Sequence, residues 1–270
     1  MSEFVASSRV LDRPASSSSE APEIAAVLSK VPAITLGFWF IKIIATTLGE
    51  AGGNALSLTL DLGYATASLI FGVPLIIAVI AQIRARTFHR FLYWGVITLT
   101  TLAGTTLADF FDRSLGIGYA GGSLALFAFV MLSLAVWYKS TGSINISTID
   151  NPRTETFYWI TIMFSQTLGT ALGDWLADAT PLGYRGSTLL IGGILGALVL
   201  LYYFSKFSRT ALFWAAFILT RPLGAVLDNC FDKPVEKGSL GISDITLSAV
   251  FASMMVLALL LIPQRAGTKR

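Results

Sequence analysis

The sequence predicts an all-α polytopic membrane protein: eight transmembrane helices set out as four parallel tandem helical hairpins, with pseudo-twofold or pseudo-fourfold symmetry. Three observations carry that expectation. The 270 residues are 54% hydrophobic and only 13% charged, with a mean hydropathy of +0.70, whereas a soluble domain typically carries about 25% charged residues. Several windows exceed the roughly 18 apolar residues that mark a spanning helix. An aromatic residue followed by tryptophan recurs at Trp39, Trp94, Trp159 and Trp214. Ten residues after each comes a glycine (Gly49, Gly104, Gly169, Gly224), and five further on Asn54, Asp109, Asp174 or Asn229.

The elements follow in order. Residues 1-30 contain SSSS, two arginines and two prolines but no continuous apolar stretch, and read as a disordered cytoplasmic tail rather than a signal peptide. The first half, 31-140, holds spans at 33-57, 63-83, 91-111 and 118-138. A polar cytoplasmic linker occupies 141-154. The second half, 155-264, holds spans at 156-177, 184-204, 210-230 and 241-262, and a basic cytoplasmic tail closes the chain at 265-270. The Trp-to-Trp spacings of 55, 65 and 55 divide the chain into two halves of two units. Gly-Tyr recurs at 63-64, 118-119 and 183-184, but the fourth unit has an insertion near KPVEKG and then Asp244 in place of tyrosine. Four residues beyond that position lies a hydroxyl in every unit: Ser68, Ser123, Thr188, Ser248.

With the aromatic-Trp pair, the glycine and the later Gly-Tyr in hand, residues 33-263 resemble bacterial membrane proteins built from four tandem "repeats of unknown function", each with two spans and a characteristic tryptophan. The resemblance implies an architecture and no activity.

Of the 19 Lys and Arg residues, 13 lie on the side of the tails and the tryptophans. Four lie at the hairpin tips (Arg113, Arg185, Lys233, Lys237), and Lys42 and Arg221 lie inside spans. The positive-inside rule then puts both termini in the cytoplasm of a multi-pass inner-membrane protein. The tryptophans are expected near the cytoplasmic interface and the repeated Tyr64, Tyr119 and Tyr184 near the outer one. At 1.5 Å per residue the repeated glycine is about 15 Å deeper than its tryptophan, near the middle of the bilayer. Small residues at four-residue spacing, Gly49/Gly53, Gly104/Ala108 and Gly169/Gly173, permit close helix approach. The fourth unit carries Asp228 there.

Charged residues at such depth are costly and mark candidate sites. If equivalent positions converge, Asn54, Asp109, Asp174 and Asn229 meet, joined by Glu50 and Asp228. Lys42 and Arg221 are the expected counter-charges, with Arg221 and Asp228 close to one helix face. Carboxylate and amide oxygens suit hard cations such as Mn²⁺ or Mg²⁺, or protons, and Glu50, Asp109, Asp174 and Asp228 are the metal-ligand candidates. The two cations equally suit an anionic solute. Asp112, Asp178 and Asp232, nearer the tips, read as cap or turn residues. One cysteine (Cys230) and one histidine (His89) exclude a Cys/His zinc or copper site within one chain, and no Ser/His/Asp set can form inside the spans. The expectation is a transporter of a small ion or solute, not an enzyme, with no bound cofactor apart from a transported cation. Its partners are the lipid bilayer and the solute, without nucleic acid, and self-association stays open. The alternative is a membrane scaffold or sensor whose polar core is structural.

Overall fold

In the computed structural model, residues 28–149 and 151–268 are described; the tail expected over 1-30 lies outside them up to residue 27. Eight α-helices form the bundle: α1 (Leu36–Asn54), α2 (Tyr64–Arg84), α3 (Arg90–Asp109), α4 (Tyr119–Thr141), α5 (Pro152–Asp178), α6 (Gly183–Phe204), α7 (Arg209–Asp232) and α8 (Asp244–Leu261). Two short strands, β1 (Leu28–Pro32) and β2 (Ala266–Thr268), pair antiparallel. Both ends of the described chain therefore meet on one face of the bundle. Leu28–Lys30, expected in the tail, are instead strand, and Lys30 is anchored through its ammonium to Glu155 Oε2 at 2.7 Å.

Six helices are long and apolar enough to cross a membrane: α2, α4, α6, α7, α8, and α3 with its π-helical continuation to Ser114. The most apolar windows of α2, α4, α6 and α8 are only 11–28% buried. Leu69, Ile76, Leu132, Leu189 and Leu261 stand exposed on them. That much contiguous apolar surface is untenable in water and suits hydrocarbon.

The polar helices are inside. α1, α3, α5 and α7 touch in a closed cycle, α1 to α3 to α5 to α7 and back to α1. The repeated glycines explain the close approach. A Cβ on Gly49 would collide with Thr101, on Gly169 with Arg221 and on Gly224 with Thr46; on Gly104 it would come within 3.1 Å of Gln166. In all four cases the neighbour sits seven residues after the next helix's tryptophan.

The second helix of a unit packs mainly on the first helix of the following unit: α2 on α3, α4 on α5, α6 on α7, with α8 returning to α1. A hairpin closed on itself is thus not the packing unit. The repeated hydroxyl marks the seam, since Ser68 Oγ donates to Thr106 Oγ1 at 2.9 Å across α2 and α3. Gly63, Gly118 and Gly183 enter the second helices at φ of 72°, 77° and 62°, a conformation an L side chain resists, which accounts for the repeated Gly-Tyr. The inner helices begin on side-chain caps at Thr35, His89, Asn151 and Ser208. His89 accepts from Leu92 N through Nδ1.

Candidate functional site

Positions four residues apart along the inner helices stack into levels at the centre of the ring. At the tryptophan end lies an aromatic seal. Phe38 approaches Trp94 at 5.3 Å and Phe213 at 6.5 Å between ring centroids, and Tyr93 Oη lies 2.6 Å from Tyr158 Oη. Trp94, Trp159 and Trp214 are buried in this cluster. Neighbouring helices cover their faces, so they pack in the core at that end.

One level deeper sits Lys42, fully buried, its Nζ 3.7 Å above the Phe217 ring. No hydrogen-bond partner or carboxylate pairs with it among the described residues. The expected role of counter-charge to the acids is therefore not supported by contact; a cation–π contact holds the ammonium instead.

The next levels carry the most interlocked group. Arg221 Nη2 lies 2.9 Å from Glu50 Oε2, 2.6 Å from Thr105 Oγ1 and 2.5 Å from Thr170 Oγ1. Glu50 is on α1, Thr105 on α3, Thr170 on α5 and Arg221 on α7, so all four inner helices meet there. Although Arg221 and Asp228 lie close to one helix face, Arg221 reaches across the ring to Glu50, because Gly169 makes room for its stem. Thr105 and Thr170 were not singled out from sequence. They stand eleven residues after their tryptophans, as Glu50 does, so the repeat alignment held the signal.

Below this comes the level of Asn54, Asp109, Asp174 and Asn229, all buried. Asn229 Nδ2 donates to Asp174 Oδ1 at 3.5 Å. Arg113, from the π-helical turn Phe110–Ser114, enters from the tip side. Its Nη2 donates to Asp174 Oδ2 at 2.9 Å, and its Nε lies 2.9 Å from Asp109 Oδ1. The latter is a Coulombic contact without hydrogen-bond alignment, since Asp109 has no hydrogen-bond donor among the described residues. Tyr64 Oη accepts from Arg113 at 3.2 Å, and the Tyr119 ring flanks the guanidinium at 5.6 Å. Two of the expected interfacial tyrosines thus line the mouth of the column. Asp109, Asp174 and Asn229 are brought together, and Asn54 is buried at the equivalent position of α1.

Asp228 belongs elsewhere. It lies in a buried acidic cluster of the helix bundle, where Asp228, Asp232 and Asp244 bring carboxylate oxygens within 4.8 Å of one another. Lys233, just past the end of α7, contacts Asp232 Oδ2 at 2.7 Å. Burial works against its charge, but the Asp232 carboxylate outweighs that and holds its pKa above the usual lysine range. Asp112 packs on Gly122, and Asp178 accepts from Tyr184 Oη at 2.8 Å.

The repetition has a counterpart in other proteins: a family described as a Repeat of Unknown Function (DUF347) matches residues 37–88, 92–143 and 157–208. The chain belongs to this repeat family. Each matched DUF347 segment runs from the aromatic-Trp helix through the second helix of its unit. No curated protein and no solved structure matches the chain.

Proposed function

We propose that this DUF347-repeat chain is a transporter of a small hard cation in a bacterial cytoplasmic membrane. It has four two-helix units around a pseudo-fourfold axis, eight spans and both termini in the cytoplasm. α1 and α5 complete the eight spans because they run in the ring beside α3 and α7. The pairing of β1 with β2 on one face fits an even number of crossings. The lysine and arginine excess at the tryptophan end gives the orientation.

The observation that carries the reading is Arg113. Its guanidinium is 32% exposed yet sits between Asp109 and Asp174, which are 2–4% exposed and come from different inner helices. A side-chain cation thus holds a two-carboxylate position reachable from the tip side, with the amide oxygens of Asn54 and Asn229 at the same level. A small cation such as Mn²⁺ or Mg²⁺ would displace Arg113 toward the mouth, and the two carboxylates would supply proton coupling. The Glu50–Arg221 pair and the aromatic cluster lie between this position and the tryptophan end.

One observation favours the alternative, a scaffold with a structural core: Glu50, Thr105, Thr170 and Arg221 hydrogen-bond one another across all four inner helices. Metal-dependent growth and uptake in cells separate the two readings. Asp109→Asn with Asp174→Asn abolishes flux at normal membrane abundance if the column transports. Unchanged uptake across metals and pH, or loss only in proportion to folded protein, overturns transport through these residues.

A further inference from the structure

The fourth unit departs from the others at two inner-surface positions. Where the first three carry Gly53, Ala108 and Gly173 it carries Asp228, and where they carry Tyr64, Tyr119 and Tyr184 it carries Asp244. These positions are sixteen residues apart in sequence and on different helices, yet their carboxylates meet, with Asp232 as third member. One departure alone would read as drift. Two acidic departures converging on one point read as a built feature.

The donor atoms are free to bind. Asp228 is fully buried, and neither of its oxygens has a hydrogen-bond donor among the described residues. Asp232 Oδ1 and Asp244 Oδ1 are likewise buried without a donor. The remaining oxygens are engaged: Asp244 Oδ2 accepts from Thr59 Oγ1 at 2.7 Å and Asp232 Oδ2 takes Lys233. These contacts fix the outer two carboxylates and leave one oxygen of each for the cluster. Ser248, one turn along the face of α8 from Asp244, adds a buried hydroxyl without a partner. A buried carboxylate without donors is among the most costly arrangements a fold can keep. Three carboxylates against the single Lys233 ammonium leave a formal excess of two negative charges, the complement of one divalent cation.

We infer that Asp228, Asp232 and Asp244 bind a calcium-sized divalent cation at the tip end of α7 and α8, apart from the axial column. All-oxygen donors select a hard ion. Three protein carboxylates converging on one point suit Ca²⁺, which takes about six to eight oxygen ligands, better than Mg²⁺, which is usually held by one or two carboxylates and keeps its waters. Bound there, the ion ties the end of α7 to the start of α8. These helices otherwise touch little, since α8 packs chiefly on α1. The ion would brace α8, seated on α1, against α7.

The site is tested on the purified full chain in detergent by equilibrium binding of radioactive Ca²⁺ and by thermal unfolding with Ca²⁺, Mn²⁺ or Mg²⁺. The expected result is saturable Ca²⁺ binding at one ion per chain, with a raised unfolding temperature. Asp228→Asn weakens binding about tenfold or more. So does Asp244→Tyr, which restores the residue of the other units and guards against a folding defect in the first variant. Asp174→Asn leaves Ca²⁺ binding intact, so the outcome is separable from that of the transport assay. Absence of saturable binding to the unaltered chain, or equal binding in Asp228→Asn and Asp244→Tyr, overturns the site. Loss in Asp174→Asn alone moves the ion to the axial column and overturns it equally.

Discussion

The Glu50–Arg221 pair gives the sharpest energetic test of the central column. Arg221 is fully buried and Glu50 nearly so, and removing one member of such a pair typically costs about 3–5 kcal/mol. The two single variants should differ. Glu50→Gln leaves the guanidinium with Thr105 Oγ1, Thr170 Oγ1 and the Thr46 carbonyl at 2.6, 2.5 and 3.4 Å, so its cost lies near the lower end, about 3 kcal/mol. Arg221→Met keeps the methylenes that pack on Gly169 but strands the carboxylate. Only two long hydroxyl contacts remain to Glu50, at 3.5 and 3.3 Å, so the cost lies near about 5 kcal/mol. The double variant removes both charges and should cost less than either single. That gives a coupling energy of about 5 kcal/mol or more, above the roughly 0.5–3 kcal/mol usual for contacting residues. The assay is unfolding in detergent followed by tryptophan fluorescence, which Trp94, Trp159 and Trp214 make sensitive to the core. A coupling under about 0.5 kcal/mol, the level expected of independent sites, would refute the view that the pair is dry and exclusive.

Two other outcomes follow from the packing. Gly169→Val drives a side chain into the Arg221 stem and should lower stability by about 1–3 kcal/mol, while Gly72→Ala, which meets open space on α2, should not; the same unfolding measurement compares them. Tyr93→Phe leaves Tyr158 Oη buried without its partner at a cost of about 1–3 kcal/mol. Adding Tyr158→Phe should recover most of that cost without changing metal uptake.

The helices were legible because lipid-facing apolar runs and the 55-residue recurrence both leave marks in the sequence. Six of the eight expected spans fall on helices long and apolar enough to cross a membrane, and the other two on α1 and α5, whose ends shift where caps such as Asn151 extend them. The convergence of Asp109, Asp174 and Asn229 was legible as well, because equivalent positions in a repeat occupy equivalent places. What sequence concealed is reach. Arg113 is near the tip in sequence, but a long side chain on a π-helical turn returns it to the carboxylates four residues earlier. Arg221 lies close to the face of Asp228 on its own helix, whereas a glycine on the neighbouring helix lets it lie across the ring. The exchange of second helices between units was invisible, because hairpin connectivity does not say which groove the returning helix fills. Asp228 and Asp244 were each noticed as departures; only the fold shows that they touch.

The distribution of charge bears on why the four units lie on one chain. Four identical subunits could form the same ring, but every level would then hold four copies of one residue. Four carboxylates at the Asp109 level or four guanidinia at the Arg221 level would repel strongly in a weakly screening interior. On one chain each level is free to differ: Asn54 and Asn229 dilute Asp109 and Asp174, threonines surround Glu50, and Arg221 faces no second arginine. The column then carries three carboxylates (Glu50, Asp109, Asp174) and three cations (Lys42, Arg113, Arg221), with the cations drawn from the first, second and fourth units. Because Arg221 claims Glu50 and Arg113 claims both aspartates, Lys42 is left without a carboxylate, and its placement over Phe217 follows. The order of the units is therefore fixed by electrostatics as well as by connection. Exchanging the second and fourth units would bring Arg113 and Arg221 to different neighbours while still leaving a glycine at every crossing.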